Sequence, residues 1–329
     1  MLTTPQPEFG SVKNVEVTVL VDNRIDLLLQ STDRVRYFNK KLLLAEQGFS
    51  LLIEVNGNQK ILLDTGTNSE TLQENMRRMG IDPTSIALVA LSHGHSDHAG
   101  SMSRILRDII PPLEPENRGN NTKAAFATCD SCDKFSIFAH PVAFKERWRI
   151  YKDGSTFGPL PVPNKKEWEA LGAQIISTET PHKIIPGGWL TGFIPRLSFE
   201  TQSGSVYKTM YRDNDELVDD VINDDQAFVL NVEGKGLVII SGCAHAGIIN
   251  TINYARQISG INEVYAVIGG FHLAFSNKDE IEKTVTAFEE YNIGCIAPLH
   301  CTGFLAQAEI YNKYPDNFLQ VVVGATVLL

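Results

Sequence analysis

Short apolar runs separated by turn signals recur along the chain, and they predict a protein rich in β-strands. Residues 15–21 (VEVTVLV) are dominated by β-branched side chains, which favour extended backbone. Two further runs meet at Asn56-Gly57, a dipeptide typical of a tight β-hairpin turn. The predicted strands are residues 15–21, 50–55, 60–63, 86–91, 226–232, 236–240, 264–268, 294–298 and 319–323.

Segments with helical spacing lie between these strands. In residues 69–79 the positions of Leu72, Met76 and Met79 predict one apolar helix face, and Gly80 is a suitable end. The other predicted helices are residues 101–109, 246–257, 278–291 and 305–311. Residues 24–41 are predicted to be a polar loop or a short helix. Hairpins and interspersed helices in both halves predict two packed sheets with helices outside.

Two irregular segments interrupt this pattern. Residues 111–134 are rich in Pro, Asn, Gly and charge, and residues 151–166 contain three prolines and two glycines. We interpret both as loop insertions, able to shape a substrate mouth, in a single domain of residues 1–329. Cys129 and Cys132 in the first insertion have metal-pair spacing without a second pair, so they are interpreted as an incidental thiol pair.

Metal-ligating residue types crowd the segment that directly follows the predicted strand 86–91. His93, His95, Asp97 and His98 fall within six positions. Imidazole suits zinc, iron and related ions, whereas carboxylates suit harder ions. His93 and His95 can reach one ion, and Asp97 and His98 can reach a second ion beside it. The sequence therefore predicts a metal centre that holds two ions.

The letters HGHSDH resemble the H-x-H-x-D-H signature of the metallo-β-lactamase superfamily, and residues 62–66 (LLDTG) resemble its first motif. The resemblance covers most of the chain, from residue 15 to residue 323. It implies a mixed α/β (α+β) fold, a four-layer αββα sandwich, with a dinuclear site at one edge between the sheets. It also implies that Asp64 supports the site from behind a ligand.

Histidines at the ends of later strands supply the further candidates. The resemblance implies that His300 is the last metal ligand, and His245, which also ends a strand, is a second predicted ligand. His272 is predicted to be a ligand or a substrate-contacting acid or base, and we assign it with Asp97 to catalysis.

The fourth motif departs from the pattern of the superfamily. Many members have an aspartate after a glycine there, whereas this chain has Cys243 after Gly242. Three interpretations stay open: His245 compensates, Cys243 supplies a thiolate, or the second ion is held more weakly. We place Cys243 with Asp64 behind the ligands.

The segments GCAHAGIIN, GGFHL and PLHCTG, in this order, resemble the branch named for the archaeal 7,8-dihydropterin-6-methyl-4-(β-D-ribofuranosyl)aminobenzene 5′-phosphate synthase. The implied reaction joins a dihydropterin, activated as its diphosphate, to an arylamine with loss of diphosphate. The implied cofactor is a pair of divalent ions, with zinc first and manganese, iron or magnesium as alternatives; such ions would neutralise the leaving group.

Two other functions remain open. In a metallo-hydrolase acting on a phosphoester, ester or thioester, Asp97 would hold the attacking water and His272 or His245 would protonate the leaving group. A metal-binding sensor with little catalysis is the third possibility, because the fourth-motif aspartate is missing.

The composition of the chain limits the classes of binding partner that we expect. A net charge of −10 argues against general nucleic-acid binding and leaves room for a local pocket that takes a small anionic substrate. No apolar run approaches the roughly 18–20 residues that span a bilayer, and residues 1–15 lack an apolar signal core. An odd count of five cysteines fits a reducing compartment. We expect a cytoplasmic protein without membrane partners, and leave its oligomeric state open.

Overall fold

The computed structural model describes residues 9–110, 134–200, 207–214 and 216–329. Cys129, Cys132 and nearly all of the predicted insertion 111–134 therefore lie outside the described residues. The strands are β1 (Val15–Val21), β2 (Val35–Tyr37), β3 (Ser50–Val55), β4 (Gln59–Leu63), β5 (Ile86–Ala90), β6 (Phe135–Ala139), β7 (Arg147–Tyr151), β8 (Thr156–Phe157), β9 (Ala173–Ser177), β10 (His182–Ile185), β11 (Gly188–Leu190), β12 (Tyr207–Asp213), β13 (Glu216–Asp219), β14 (Ala227–Val232), β15 (Gly236–Ser241), β16 (Val264–Gly270), β17 (Cys295–Leu299) and β18 (Ala325–Leu328). The α-helices are α1 (Thr71–Met79), α2 (Ser96–Ala99), α3 (Met102–Ile109), α4 (Lys165–Ala170), α5 (Ile248–Ser259), α6 (Lys278–Ala287) and α7 (Phe304–Lys313).

The described strands form three sheets. The first has eight strands in the order β2-β18-β1-β3-β4-β5-β6-β9, and the second has six in the order β10-β11-β14-β15-β16-β17. The third is a small sheet of four strands in the order β13-β12-β7-β8.

Three apolar clusters define the four layers of the fold. Buried side chains of the first and second sheets, such as Ile53 and Phe228, pack against each other between the sheets. On the outer face of the first sheet the cluster includes Met76, Ile105 and Trp168 from α1, α3 and α4. On the outer face of the second sheet α5, α6 and α7 contribute their apolar faces. The predicted αββα sandwich is therefore confirmed.

The two-residue period of the strands explains this layering. In β1 the alternate residues Val15, Val17 and Val19 all belong to the core between the sheets. The hairpin from β3 to β4 turns at Asn56 and Gly57, whose φ angles of 53° and 74° are those of the turn expected for this dipeptide.

Strand direction brings several strand ends to one edge. β4 and β5 run parallel, with Leu63 opposite Ala90, and β15, β16 and β17 also run parallel in the second sheet. The loops that leave the carboxyl ends of parallel strands share one edge of a sheet, where α/β proteins place their sites. The residues after β4, β5, β15, β16 and β17 are therefore neighbours.

The structure corrects three sequence predictions. Residues 24–41 contain the strand β2 and no helix. Residues 319–323 are not a strand; the last strand is β18, where Val327 pairs with Val17 of β1. The predicted irregular loop 151–166 includes the end of β7 and all of β8, which belong to a third sheet that was not predicted. The two long strands of this sheet, β7 and β12, lie far apart in sequence, so no local hairpin signal indicates that they pair.

Glu200 ties two helices of the outer layer together. Its carboxylate accepts a hydrogen bond from the Ile249 N–H at the start of α5 (2.8 Å) and another from the Thr284 hydroxyl of α6 (3.2 Å). Burial raises the pKa of Glu200 to about 7, although these hydrogen bonds favour the ionised form. In the described ranges, no helix is both long and apolar enough to cross a membrane.

The core between the sheets is expected to dominate stability. Ile53→Ala, at a side chain with 0% exposure, should lower the free energy of unfolding by about 2–5 kcal/mol, because it leaves a cavity between two sheets. Urea denaturation measures this loss. The control Leu28→Ala removes a side chain that is 88% exposed and should change the unfolding free energy by less than about 0.5 kcal/mol. Equal effects of the two substitutions would contradict the assigned core.

Glu200 should make the stability of the metal-free protein depend on pH. Since its pKa is about 7 in the folded state and near 4.5 when unfolded, the folded state binds more protons between these values. Stability should therefore fall as pH rises through this window, by on the order of 1–3 kcal/mol. Urea denaturation of Glu200→Gln beside wild type isolates this contribution, which the amide should abolish. Parallel pH profiles for the two proteins would refute it.

Candidate metal centre

The histidine cluster lies in the loop and short helix that follow β5. The side chains of His93 and His98 are almost fully buried, whereas those of His95 and Asp97 are partly exposed at the edge. Asp97 and His98 belong to the single turn of α2, and donor atoms of both lie within 4.8 Å of a donor atom of His300, which follows β17. The buried end of β5 thus delivers all four side chains to one place.

A first donor group combines this loop with the loop after β15. His93, His95 and His245 each offer a ring nitrogen, and these atoms all lie within 4.8 Å of one another. His93 Nε2 lies 2.9 Å from His95 Nδ1, and the ring of His245 lies 4.8 Å from the ring of His93. Three imidazoles with this convergence suit zinc or a related ion.

A second donor group lies beside the first. Donor atoms of Asp97, His98 and His300 lie within 4.8 Å of one another, and Asp97 Oδ2 is 3.6 Å from His300 Nε2. Cys243 belongs to this side too, since its Sγ lies 3.2 Å from His98 Nε2. From the sequence Cys243 was placed behind the ligands, with a thiolate ligand as an open alternative; its sulfur lies among the candidate donor atoms.

Unpartnered nitrogens provide a test of whether a metal fits. Both ring nitrogens of His245 and the Nδ1 atoms of His300 and His272 are buried without a hydrogen-bond partner among the described residues. Buried polar groups are normally hydrogen-bonded, because leaving them bare costs free energy. Convergent imidazole nitrogens with no other partner fit a bound cation.

The charge states of the first group agree with that fit. Burial, with smaller effects of neighbouring histidines, lowers the pKa of His93 and of His245 well below the usual value. Burial also lowers the pKa of His95 to about 3. Neutral imidazole is the form that binds metals, so the three histidines of this group are already in the form that binds an ion.

Asp64 organises the centre from the end of β4. Its carboxylate accepts hydrogen bonds from the Ser92 N–H (2.7 Å) and the Ser92 hydroxyl (2.5 Å), and it lies 2.7 Å from His98 Nδ1. Asp64 thereby fixes which nitrogen of His98 faces the donor group, as a carboxylate commonly does for a ligating histidine. Burial opposes protonation of His98, but Asp64 and Asp97 outweigh it and raise its pKa to about 9.

Several strand ends in the centre have left-handed backbone. Asp64, Ala244, His272 and His300 have φ angles of 60°, 55°, 49° and 48°. This conformation is uncommon for residues other than glycine and costs of order 1 kcal/mol or more at each position. The fold maintains it where each strand turns sharply into a loop that carries a donor.

His272 and Cys301 lie at the outer side of the donors. The ring of His272 is 4.1 Å from the ring of His245, and Cys301 Sγ lies within 4.8 Å of donor atoms of Cys243 and His300. Burial opposes protonation of His272, yet Cys301 outweighs it and the pKa lies above its ordinary value. Cys301 was not predicted from the sequence, although its position directly after His300 was a signal.

A set of buried charged residues behind the histidine loop was also not predicted from the sequence. Arg147, Asp220, Asp224 and Asp225 are buried, and Asp224 Oδ2 accepts a hydrogen bond of 2.7 Å from the Gly94 N–H. Two adjacent aspartates before the apolar strand β14 were the available signal. Arg147, the partner of Asp224, lies 77 positions away in sequence, and no local pattern connects the two.

Comparison with known proteins defines the class. The sequence profile of the metallo-beta-lactamase superfamily matches residues 43–119. A relative from Methanocaldococcus jannaschii is 32% identical over 290 residues, which cover 86% of this chain and 90% of the relative. The chain therefore belongs to the metallo-beta-lactamase superfamily. That relative is named 7,8-dihydropterin-6-methyl-4-(beta-D-ribofuranosyl)-aminobenzene-5′-phosphate synthase.

Solved structures agree on the fold. Tm1679, described as a metal-dependent hydrolase of the beta-lactamase superfamily, superimposes with a TM-score of 0.68 at 24% identity, over 95% of this chain and 98% of that chain. The metallo-beta-lactamase fold protein YhfI from Bacillus subtilis gives a TM-score of 0.51 at 12% identity over the same shares. Both support the four-layer architecture of this chain.

The two donor groups predict separable metal losses. His95→Ala should remove the ion shared with His93 and His245, because His95 belongs to that group alone. Cys243→Ser should weaken the neighbouring ion, because the Cys243 sulfur lies 3.2 Å from His98 Nε2. Elemental analysis after gel filtration measures the content, and cobalt(II) loading reports the thiolate band that Cys243→Ser should abolish. His182→Ala is the control, since His182 belongs to none of these groups. Wild-type metal content in His95→Ala would show that the first group is wrongly assigned.

Proposed function

We propose that this protein is a metal-dependent transferase that joins a dihydropterin, activated as its diphosphate, to an arylamine phosphate. The observation that carries the proposal is the convergence of two adjacent donor groups, on His93 and on Asp97, at one edge of the sandwich. The similarity to the synthase from M. jannaschii along most of both chains supports this choice of substrate. The proposal includes a cytoplasmic, single-domain protein with neither nucleic acid nor membrane as partner.

Each donor group would hold one divalent ion, with zinc as the first choice for the imidazole-rich group. His93, His95 and His245 would hold one, while Asp97, His98, His300 and Cys243 would hold the other. Such ions, when bound, neutralise charge on a diphosphate leaving group. The chain itself orients the donors through the hydrogen bonds of Asp64.

His272 is the residue proposed to move a proton. In the transfer, a bond forms between the amine nitrogen and the methylene carbon of the pterin, and the carbon–oxygen bond to diphosphate breaks. The amine nitrogen must then lose a proton. His272 is partly exposed and has a buried Nδ1 without a partner, so its ring stands between the donors and the solvent.

Exposed aromatic side chains support the proposal that the substrate contains flat rings. Phe275 is 55% exposed and its ring lies 6.4 Å from the ring of His272, while Phe304, 73% exposed, follows His300 by four positions. Large apolar side chains exposed beside a polar centre commonly mark a binding site. A pterin or an arylamine offers flat faces that such side chains stack on.

A hydrolase is the alternative function. Asp97 is the partly exposed carboxylate of the centre, with 31% side-chain exposure, and would hold an attacking water. In that case diphosphate would be released from the pterin substrate without any amine.

Product analysis tests the proposed function. Metal-loaded protein is incubated with 6-hydroxymethyl-7,8-dihydropterin diphosphate, with and without 4-(β-D-ribofuranosyl)aminobenzene 5′-phosphate. We expect a condensation product by mass spectrometry, and diphosphate release that requires the amine.

His272→Gln should lower kcat about a hundredfold or more, because the proton acceptor is lost. Phe275→Ala should raise KM with a smaller change in kcat.

The control for Phe275→Ala is Phe157→Ala, which removes an aromatic side chain that is 58% exposed on the third sheet. It should leave both constants unchanged. Diphosphate release in the absence of the amine would contradict the transferase function and support the hydrolase function. Metal binding without turnover on either substrate or on an ester and phosphodiester panel would favour the sensor.

A further inference from the structure

A buried ion triad connects the third sheet to the segment before β14. Arg147, the first residue of β7, donates from Nε to Asp220 Oδ2 (2.7 Å) and from Nη2 to Asp224 Oδ1 (2.6 Å). The three side chains are between 0% and 4% exposed. Burial opposes ionisation of Asp224, but the charge of Arg147 outweighs it and holds the pKa of Asp224 below its ordinary value.

The triad reaches the metal centre through one backbone group. Asp224 Oδ2 accepts the N–H of Gly94, the residue between the predicted ligands His93 and His95 (2.7 Å). Ala143 packs closely against Gly94: a Cβ on Gly94 would lie 2.1 Å from the carbonyl oxygen of Ala143. The loop between the two histidines is therefore held between Asp224 and the turn that precedes β7.

The residues beside Asp224 hold the neighbouring loops. Asp225 accepts the N–H of Ala246, directly after His245 (2.8 Å). Gln226 donates from its backbone to Ser92 O (2.9 Å) and from its side chain to Leu91 O (2.7 Å). One short segment thus fixes the backbone on both sides of the first donor group.

We propose that Arg147 and Asp224 are positioning residues, which set the geometry of the His93, His95 and His245 donors through the Gly94 backbone. A buried ion pair is a poor device for stability alone, because desolvation offsets most of its attraction. Its distinctive effect here is directional: both Asp224 oxygens are used, one by Arg147 and one by Gly94. The inference rests on the proposed metal centre.

Two substitutions test the triad. In Asp224→Asn only one terminal atom accepts a hydrogen bond, so the side chain cannot serve both Arg147 and the Gly94 N–H. In Arg147→Lys a single ammonium group replaces the guanidinium group, whose separate nitrogens reach both aspartates. Each should weaken metal affinity about tenfold to a hundredfold, as loss of groups behind metal ligands commonly does. Chelator competition measures the affinity, and the visible spectrum of the cobalt(II) protein should shift.

The matched control is Asp213→Asn on β12, whose partner Lys145 lies 2.9 Å away in an exposed pair. It should change neither affinity nor spectrum, because exposed pairs contribute little. A variant of the triad that lowers the melting temperature while binding metal with wild-type affinity and spectrum would overturn the proposal. A wild type without bound metal would instead refute the metal centre itself.

Hydrogen exchange in the wild type gives a test that needs no variant to fold. If Asp224 holds the loop, the Gly94 amide should stay protected in the metal-free protein, with exchange slower by tenfold or more than at the amide of Gly57, an exposed residue in the turn between β3 and β4. Fast exchange of the Gly94 amide in metal-free protein would overturn the proposal.

Discussion

Gly242 lies so close to the first sheet that a Cβ on it would be 2.0 Å from Ser92 Oγ and 3.0 Å from Asp64 Oδ2. This contact joins the end of β15 to the ends of β4 and β5. Because no side chain stands between the sheets here, Cys243 and His245, which follow Gly242, reach the histidines after β5. The donor groups that combine the two sheets depend on this close approach.

Buried side chains of opposite charge lie in contact in the interior around this site. Asp64 is paired with His98, and Arg147 is paired with Asp224 and Asp220. Paired in this way, the ionised groups act as fixed supports for the loops between them. The nitrogens of His245 have no such partner among the described residues, and this contrast distinguishes supporting groups from candidate ligands.

The fold was predicted from the sequence to the extent that its signals are local. The hairpin at Asn56 and Gly57 formed as expected, and Gly80 ends α1 in the left-handed conformation. The prediction failed where pairing is long-range. β18 pairs with β1 in the first sheet although the two strands are distant in sequence. The apolar residues Leu319, Val321, Val322 and Val323 are buried without forming a strand. β7 pairs with β12, more than 50 positions later, so hydrophobic periodicity alone gave no reason to expect a third sheet.

The sequence by itself determined where the candidate ligands lie, because ligand-type side chains directly after buried strands can be recognised one segment at a time. His93, His95, Asp97 and His98 were identified in this way, and so were the strand ends at His245 and His300. Only the tertiary structure decided how these residues divide into two groups, since that division depends on the order of strands and the distance between sheets. It also moved the sulfur of Cys243 in among the donors and brought Arg147 behind Gly94. Those contacts join residues that are distant in sequence, and only the packing of the sheets brings them together.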